Sequence, residues 1–156
     1  MKNEKKIPGI IDPLKRVLKQ LTKDQLMTPY RPNGWTIQQV VHHLADNDMN
    51  AFLRFKRGLT EDEPMASSYR QDLWAELEDY KHVPVEVSIQ LLDSIHTRFF
   101  VVLKGMNSDH FTSKFNTQVL GTIPLDVALQ RFIWHNEHHI AQIIYLMTKM
   151  GWKLEA

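Results

Sequence analysis

The sequence predicts an all-α domain of four helices, with a long connector between the second and third. Three observations carry that expectation. Apolar residues recur at three- and four-residue spacing through four separate stretches, the pattern of helices that each bury one face. Helix-start and helix-stop residues bracket those stretches, with Pro13, Thr36, Pro84 and Pro124 at starts and Gly58, Gly105 and Gly151 at ends. Strand character is confined to one short segment, Phe111 to Pro124, where a small irregular hairpin is expected.

Asp12-Pro13 opens the first helix, Asp as N-cap and Pro at the first helical position, and Leu14, Val17, Leu18 and Leu21 form its apolar stripe. The connector T-P-Y-R-P-N-G-W over 28–35 cannot stay helical, with two prolines and an Asn-Gly pair. Thr36 then begins a second helix through the capping box T-I-Q-Q, and the helix is expected to run to about Arg57 and stop at Gly58. Ile37, Val40, Val41, Leu44, Ala51, Phe52 and Phe55 face one way. His42 and His43 lie beyond opposite edges of that stripe, so periodicity places both at the surface or an edge and does not choose between them. Asp46, Asn47, Asp48 and Asn50 follow, polar groups able to orient an imidazole through its second nitrogen or simply to be solvated.

Leu59 to Pro84 is the longest stretch without a clear period. Tyr69, Trp74 and Tyr80 argue against disorder there, because aromatic rings are costly to leave in water. The segment is expected to lie over one end of the fold as a lid or as a plain ordered connector. A third helix follows from Pro84 to Gly105, its buried face traced by Val85, Ile89, Leu92, His96, Phe99 and Leu103. A lone histidine on an apolar stripe reads as a hydrogen-bonded core residue, so His96 is set aside as a ligand.

The last helix, from Pro124 to about Met150, carries W-H-N-E-H-H-I-A-Q-I-I over 134–144. Its inward face holds Leu125, Ala128, Leu129, Phe132, Ile140, Ile143 and Met147, with His139 inside that face, His135 at its edge and His138 on the opposite side. His135 and His139, four residues apart, are therefore one turn apart and able to share a metal ion. Two ligands hold a metal loosely, and a third from His42 or His43 completes the usual arrangement of three ligands and an open position. Asn136 also faces inward and Gln142 follows His139 by three residues, each a support for a ligand or a plain core amide.

Composition narrows the chemistry. The 156 residues carry 19 Lys plus Arg against 18 Asp plus Glu, a balance expected of one cytoplasmic domain of 1–156 with no nucleic-acid or membrane partner. The basic stretch Lys2 to Lys6 is expected to fray. No apolar run reaches the roughly 18 residues of a membrane span, and no signal-peptide core is present. With no cysteine, disulfides, cysteine-ligated zinc and a cysteine nucleophile all drop out, so a metal must be held by His, Asp or Glu. Neither a Gly-rich phosphate loop nor a G-x-S-x-G elbow appears.

Two motifs carry a family resemblance. Y-R-P-N-G-W-T-I-Q-Q-V-V-H-H-L-A-D-N-D-M-N-A-F-L-R-F over 30–55, followed by K-R-G-L-T-E-D-E-P, closely resembles the YfiT-like branch of the DinB superfamily. H-N-E-H-H-I-A-Q-I resembles the second metal motif of the same superfamily, and the likeness covers nearly the whole chain in order. The resemblance implies a four-helix bundle in which three histidines hold one divalent metal ion per chain, zinc or nickel. The family's W-T/S-x6-H-L-A pattern falls on His43 rather than His42, and H-x3-H-x2-Q falls on His135 and His139. It further implies a thiol S-transferase joining a low-molecular-weight thiol such as bacillithiol to an electrophile, in a homodimer. A metal-dependent hydrolase is the alternative, since a metal that activates a thiol also activates water. A metal-binding stress-response module without catalysis is the reading of another class.

Overall fold

The computed structural model describes residues 3–153. Four helices form the bundle: α1 (Asp12–Leu18), α3 (Ile37–Thr60), α6 (Val85–Lys104) and α7 (Leu125–Lys149). Three short helices fill the connections, α2 (Lys23–Leu26) before α3, and α4 (Gln71–Trp74) and α5 (Glu78–His82) between α3 and α6. A hairpin of β1 (Lys114–Thr117) and β2 (Gly121–Pro124) links α6 to α7, antiparallel, with Phe115 opposite Ile123. Both of those side chains are buried, so the hairpin's inner face joins the core while its Val119-Leu120 tip is exposed.

The second helix begins as expected. Thr36 accepts from the Gln39 amide, and the Gln39 side chain accepts from the Thr36 amide, closing a reciprocal box at the entry to α3. The same device, Thr22 with Gln25, starts α2; the T-K-D-Q signal was legible in the sequence, but the apolar stripe through Leu21 masked it. The first helix accordingly ends at Leu18, and Leu21 packs on the core from outside it. Its N-cap is Ile11, and Asp12 sits inside the first turn with no capping bond. Its carboxylate there still favours the positive end of the helix.

Gly58 does not stop α3. A Cβ there would lie 2.9 Å from Leu125 Cδ2 and 3.5 Å from Phe115 Cδ1, so the missing side chain lets α3 and α7 close on each other, and the helix continues to Thr60. The third and fourth long helices keep their expected limits, with Pro84 and Pro124 as N-caps. Gly151, at φ +68°, takes the left-handed conformation that closes α7. At the N-terminus the expected fraying is replaced by a 3-10 turn over Glu4–Lys6 that leads into buried Ile7; Lys2 lies outside the described residues.

The connector from 59 to 84 is tied down along its length. Gln39 Nε2 donates to the Ala75 carbonyl at 3.0 Å, Gln38 Nε2 to the Tyr80 carbonyl at 2.9 Å, and the Tyr80 hydroxyl to Asp46 Oδ2 at 2.6 Å. Tyr80 is buried, as the cost of leaving such a ring in water demands.

A second buried polar network stitches α3, α6 and α7. His96 Nε2 donates to Asp48 Oδ2 at 2.6 Å, and Asn136 Nδ2 donates to both Asp48 oxygens at 3.0 Å. Asp48 and Asn136 are fully buried. Burial pushes the Asp48 carboxyl up, against the opposing pull of His96 and Asn136. His96 is thus the hydrogen-bonded core residue its place on the stripe implied. No helix among the described residues is long and apolar enough to cross a membrane.

Candidate metal centre

The two adjacent histidines of α3 have opposite assignments, and both are buried rather than at the surface. Periodicity does not foresee this because other elements cover both edges of the apolar stripe, the end of the connector and the start of α6 over His42 and α7 over His43. His42 Nε2 donates to the Val83 carbonyl at 2.9 Å, which leaves Nδ1 to accept from Ser88 Oγ at 2.6 Å. Both of its nitrogens are occupied by the protein, fastening the end of the connector and the start of α6 to α3. His43, one residue on and about 100° round the helix, turns to α7 instead.

There it meets His135 and His139. One nitrogen from each of the three rings lies within 4.8 Å of the other two, and the His43 and His135 Nε2 atoms are 3.1 Å apart. Ring centroids are 4.5–5.0 Å apart in edge-on arrangements. His138 is exposed and stacks on Trp134 at 4.6 Å; it lies beside the cluster rather than on the opposite side of α7, its ring 5.4 Å from that of His139, but it is not one of the three clustered residues.

Burial drives the electrostatics. It lowers the His43 pKa to about 3, helped by the neighbouring His139. It lowers His135 to about 2, with His139, His43, His138 and the Arg131 guanidinium adding repulsion. Burial also lowers His139, against the hydrogen bond that its ring donates to Gln142. At neutral pH the three rings are uncharged, with lone pairs converging on one point and no cation to offset, which suits a divalent metal ion.

Each ring is also held from behind. His139 Nδ1 donates to Gln142 Oε1 at 2.9 Å, leaving Nε2 free for a metal. His43 Nδ1 faces the Tyr69 hydroxyl at 3.4 Å. His135 Nδ1 faces the Asn47 amide nitrogen at 3.1 Å. An imidazole that gives Nε2 to a metal carries its proton on Nδ1 and needs an acceptor there, which Asn47 supplies by turning its amide half a rotation. Gln142 and Asn47, polar neighbours that the sequence offers as supports, thus stand behind ligands, while Asn136 instead serves the Asp48 network. Tyr69 was not legible, because it comes from the aperiodic connector and only the path of that segment brings it over His43.

The imidazoles open onto a cavity of about 500 Å³ whose walls include Tyr30, Trp35, Trp134 and Gln142. A second cavity of about 540 Å³ shares Trp134 and His135 with it and extends between α3 and α7 toward the hairpin.

These features define a helical bundle with a three-histidine cluster between two of its long helices. The chain belongs to the DinB superfamily, whose model matches residues 12–143. It is 40% identical over 146 residues to a "putative metal-dependent hydrolase" of Bacillus cereus strain B4264, covering 94% of this chain and 84% of that one. A protein of the same description from strain G9842 is 42% identical over 139 residues, covering 89% and 80%. Among solved structures, YfiT from Bacillus subtilis, described as "a probable metal-dependent hydrolase with an unusual four-helix bundle topology", superposes with a TM-score of 0.95 at 38% identity, covering 97% of this chain and 87% of that one. TT2238, a four-helix bundle protein, shares the fold at a TM-score of 0.63 and 17% identity, covering 92% and 97%.

Proposed function

We propose that this protein is a metal-dependent hydrolase whose divalent ion is held by His43, His135 and His139. The observation that carries this is the convergence of three uncharged imidazole nitrogens within 4.8 Å of one another, beside a cavity large enough for a small substrate. The names given to the B. cereus relatives and to YfiT support hydrolysis over thiol transfer. A divalent ion so bound supplies Lewis acidity, activating water near neutral pH and polarising a carbonyl.

The chain's own residues prepare that chemistry. Burial keeps the three imidazoles deprotonated, so no proton competes for the lone pairs at pH 7. Gln142 fixes the His139 tautomer, while Asn47 and Tyr69 stand at the outer nitrogens of His135 and His43. Trp35, 4.7 Å from the His43 ring, excludes water from one side of the cluster and favours an apolar group there.

The thiol S-transferase expected from the resemblance uses the same three imidazoles, and it differs in the nucleophile. Protein loaded with zinc or nickel is incubated with a panel of activated esters and amides, and separately with monochlorobimane, each with and without bacillithiol. Thiol-independent hydrolysis that disappears in His139→Ala and after chelation is the expected result. Conjugation that requires the thiol, with no hydrolysis of any ester or amide, overturns the proposal in favour of transfer.

A further inference from the structure

Helices α3 and α7 run antiparallel past the three imidazoles. Asn47 faces His135, Asp48 bonds Asn136, and Gly58 lies against Leu125. Leading away from the cluster, the His43 side of α3 continues through Asn47, Ala51 and Arg54, and the His139 side of α7 through His135, Arg131 and Ala128. Both series step by four, four and three residues, so each stays on one helical face. Ala51 and Ala128 leave open the space that longer side chains would fill, and the cavity of about 540 Å³ lies there, walled by Phe99, Phe115 and Phe132.

Its charge is one-sided. Arg54 and Arg131 line it, and no carboxylate does. Arg54 gives Nε and Nη2 to the Ser67 carbonyl at 3.2 and 2.8 Å, which fixes the guanidinium while Nη1 has no hydrogen bond among the described residues. Arg131 makes no hydrogen bond or ion pair among the described residues, yet its charge is felt at His135. A guanidinium is always protonated and matches the planar geometry of an anion with two oxygens.

We propose that this cavity is the specificity pocket of the site, taking an apolar body that ends in an anionic group paired with Arg131 and backed by Arg54. The assignment of the pocket to a substrate rests on the hydrolase reading, in which the bond to be cut lies at the imidazoles. Arg131 is four residues from His135, roughly 6 Å along the helix axis. The preferred substrates are therefore amphiphilic esters or amides with an anionic group a few carbons from the scissile carbonyl.

The test reads binding without turnover, so it stands apart from whether any ester is hydrolysed. Isothermal titration of the zinc-loaded full chain compares 4-phenylbutyrate with 4-phenylbutanol, which share an apolar body and differ in charge. The carboxylate is expected to bind about 10-fold tighter or more, the size of one charge-assisted hydrogen bond. Arg131→Gln, a substitution at an exposed position, should cut that preference to about 3-fold or less, Arg54 holding the remainder, while leaving the alcohol's affinity unchanged. Ala128→Leu, which fills the cavity, should weaken both ligands. Equal affinities, no binding of either ligand, or a preference undiminished in Arg131→Gln overturns the proposal. A carboxylate captured by the metal instead would keep its preference in Arg131→Gln and lose it on chelation, which also overturns it.

Discussion

Replacing His42 and His43 one at a time separates the two roles the structure gives to adjacent identical residues. His43→Ala takes one nitrogen out of the three-imidazole cluster, leaving His135 and His139 as a one-turn pair that holds a metal loosely. Also lost are the contact with the Tyr69 hydroxyl at 3.4 Å and the packing of the buried ring on Trp35, neither of which leaves a well-paired polar group stranded. His42→Ala leaves the cluster intact but orphans the Ser88 hydroxyl and the Val83 carbonyl. A buried polar group without a partner costs about 1–3 kcal/mol, so the two together cost on the order of 2–4 kcal/mol, the carbonyl at half-buried Val83 being the easier to hydrate. In a chain of this size that corresponds to a fall in Tm of roughly 5–15 °C. Metal per chain by plasma mass spectrometry, together with thermal unfolding by circular dichroism, reads both effects on the same samples. His43→Ala should retain well under one metal ion per chain with a modest change in the metal-free Tm, and His42→Ala the reverse. Loss of metal in His42→Ala alone would refute the assignment.

Acid stability follows from the same burial. His43 and His135 have folded-state pKa values of about 3 and about 2, against 6.5 for an ordinary imidazole. Between those limits the unfolded chain binds the extra protons, so stability is fully present above pH 6.5 and drains as the pH falls through the window, by up to about 1.4 kcal/mol per pH unit for each imidazole. Urea unfolding of the metal-free protein at pH 7, 6 and 5 checks this, and a flat profile contradicts it. Gln142→Leu removes the acceptor behind His139 and should weaken metal binding about 10- to 100-fold, measured by competition with a chromophoric chelator. At the next ring, Asn47→Asp keeps an acceptor for His135 and should hold metal at least as well as wild type, whereas Asn47→Leu should lose affinity by a factor like that of Gln142→Leu. Asp48→Ala strands His96 and Asn136 in the core, at about 1–3 kcal/mol for each orphaned group, and should lower Tm without changing metal stoichiometry.

What the sequence determined by itself is what local patterning encodes. The limits of α6 and α7 follow from Pro84, Pro124, Gly105 and Gly151, and the start of α3 from Thr36 and Gln39, because caps and breakers act over a few residues. His135 and His139 are paired, and His138 excluded, by helical period alone. The tertiary structure decided matters that depend on what packs against a helix. Gly58 resembles a stop signal, and only the approach of Leu125 shows it to be a point of close contact. His42 and His43 sit at equivalent edges of one stripe, and the spacing cannot rank them. Val83 and Ser88 claim one and α7 faces the other, across separations of more than 40 and more than 90 residues. Tyr69 reaches the cluster because the connector is pinned to the start of α3. The three-histidine cluster is thus written in the sequence as two unfinished motifs, and it becomes a single site because α3 and α7 pack antiparallel at that level.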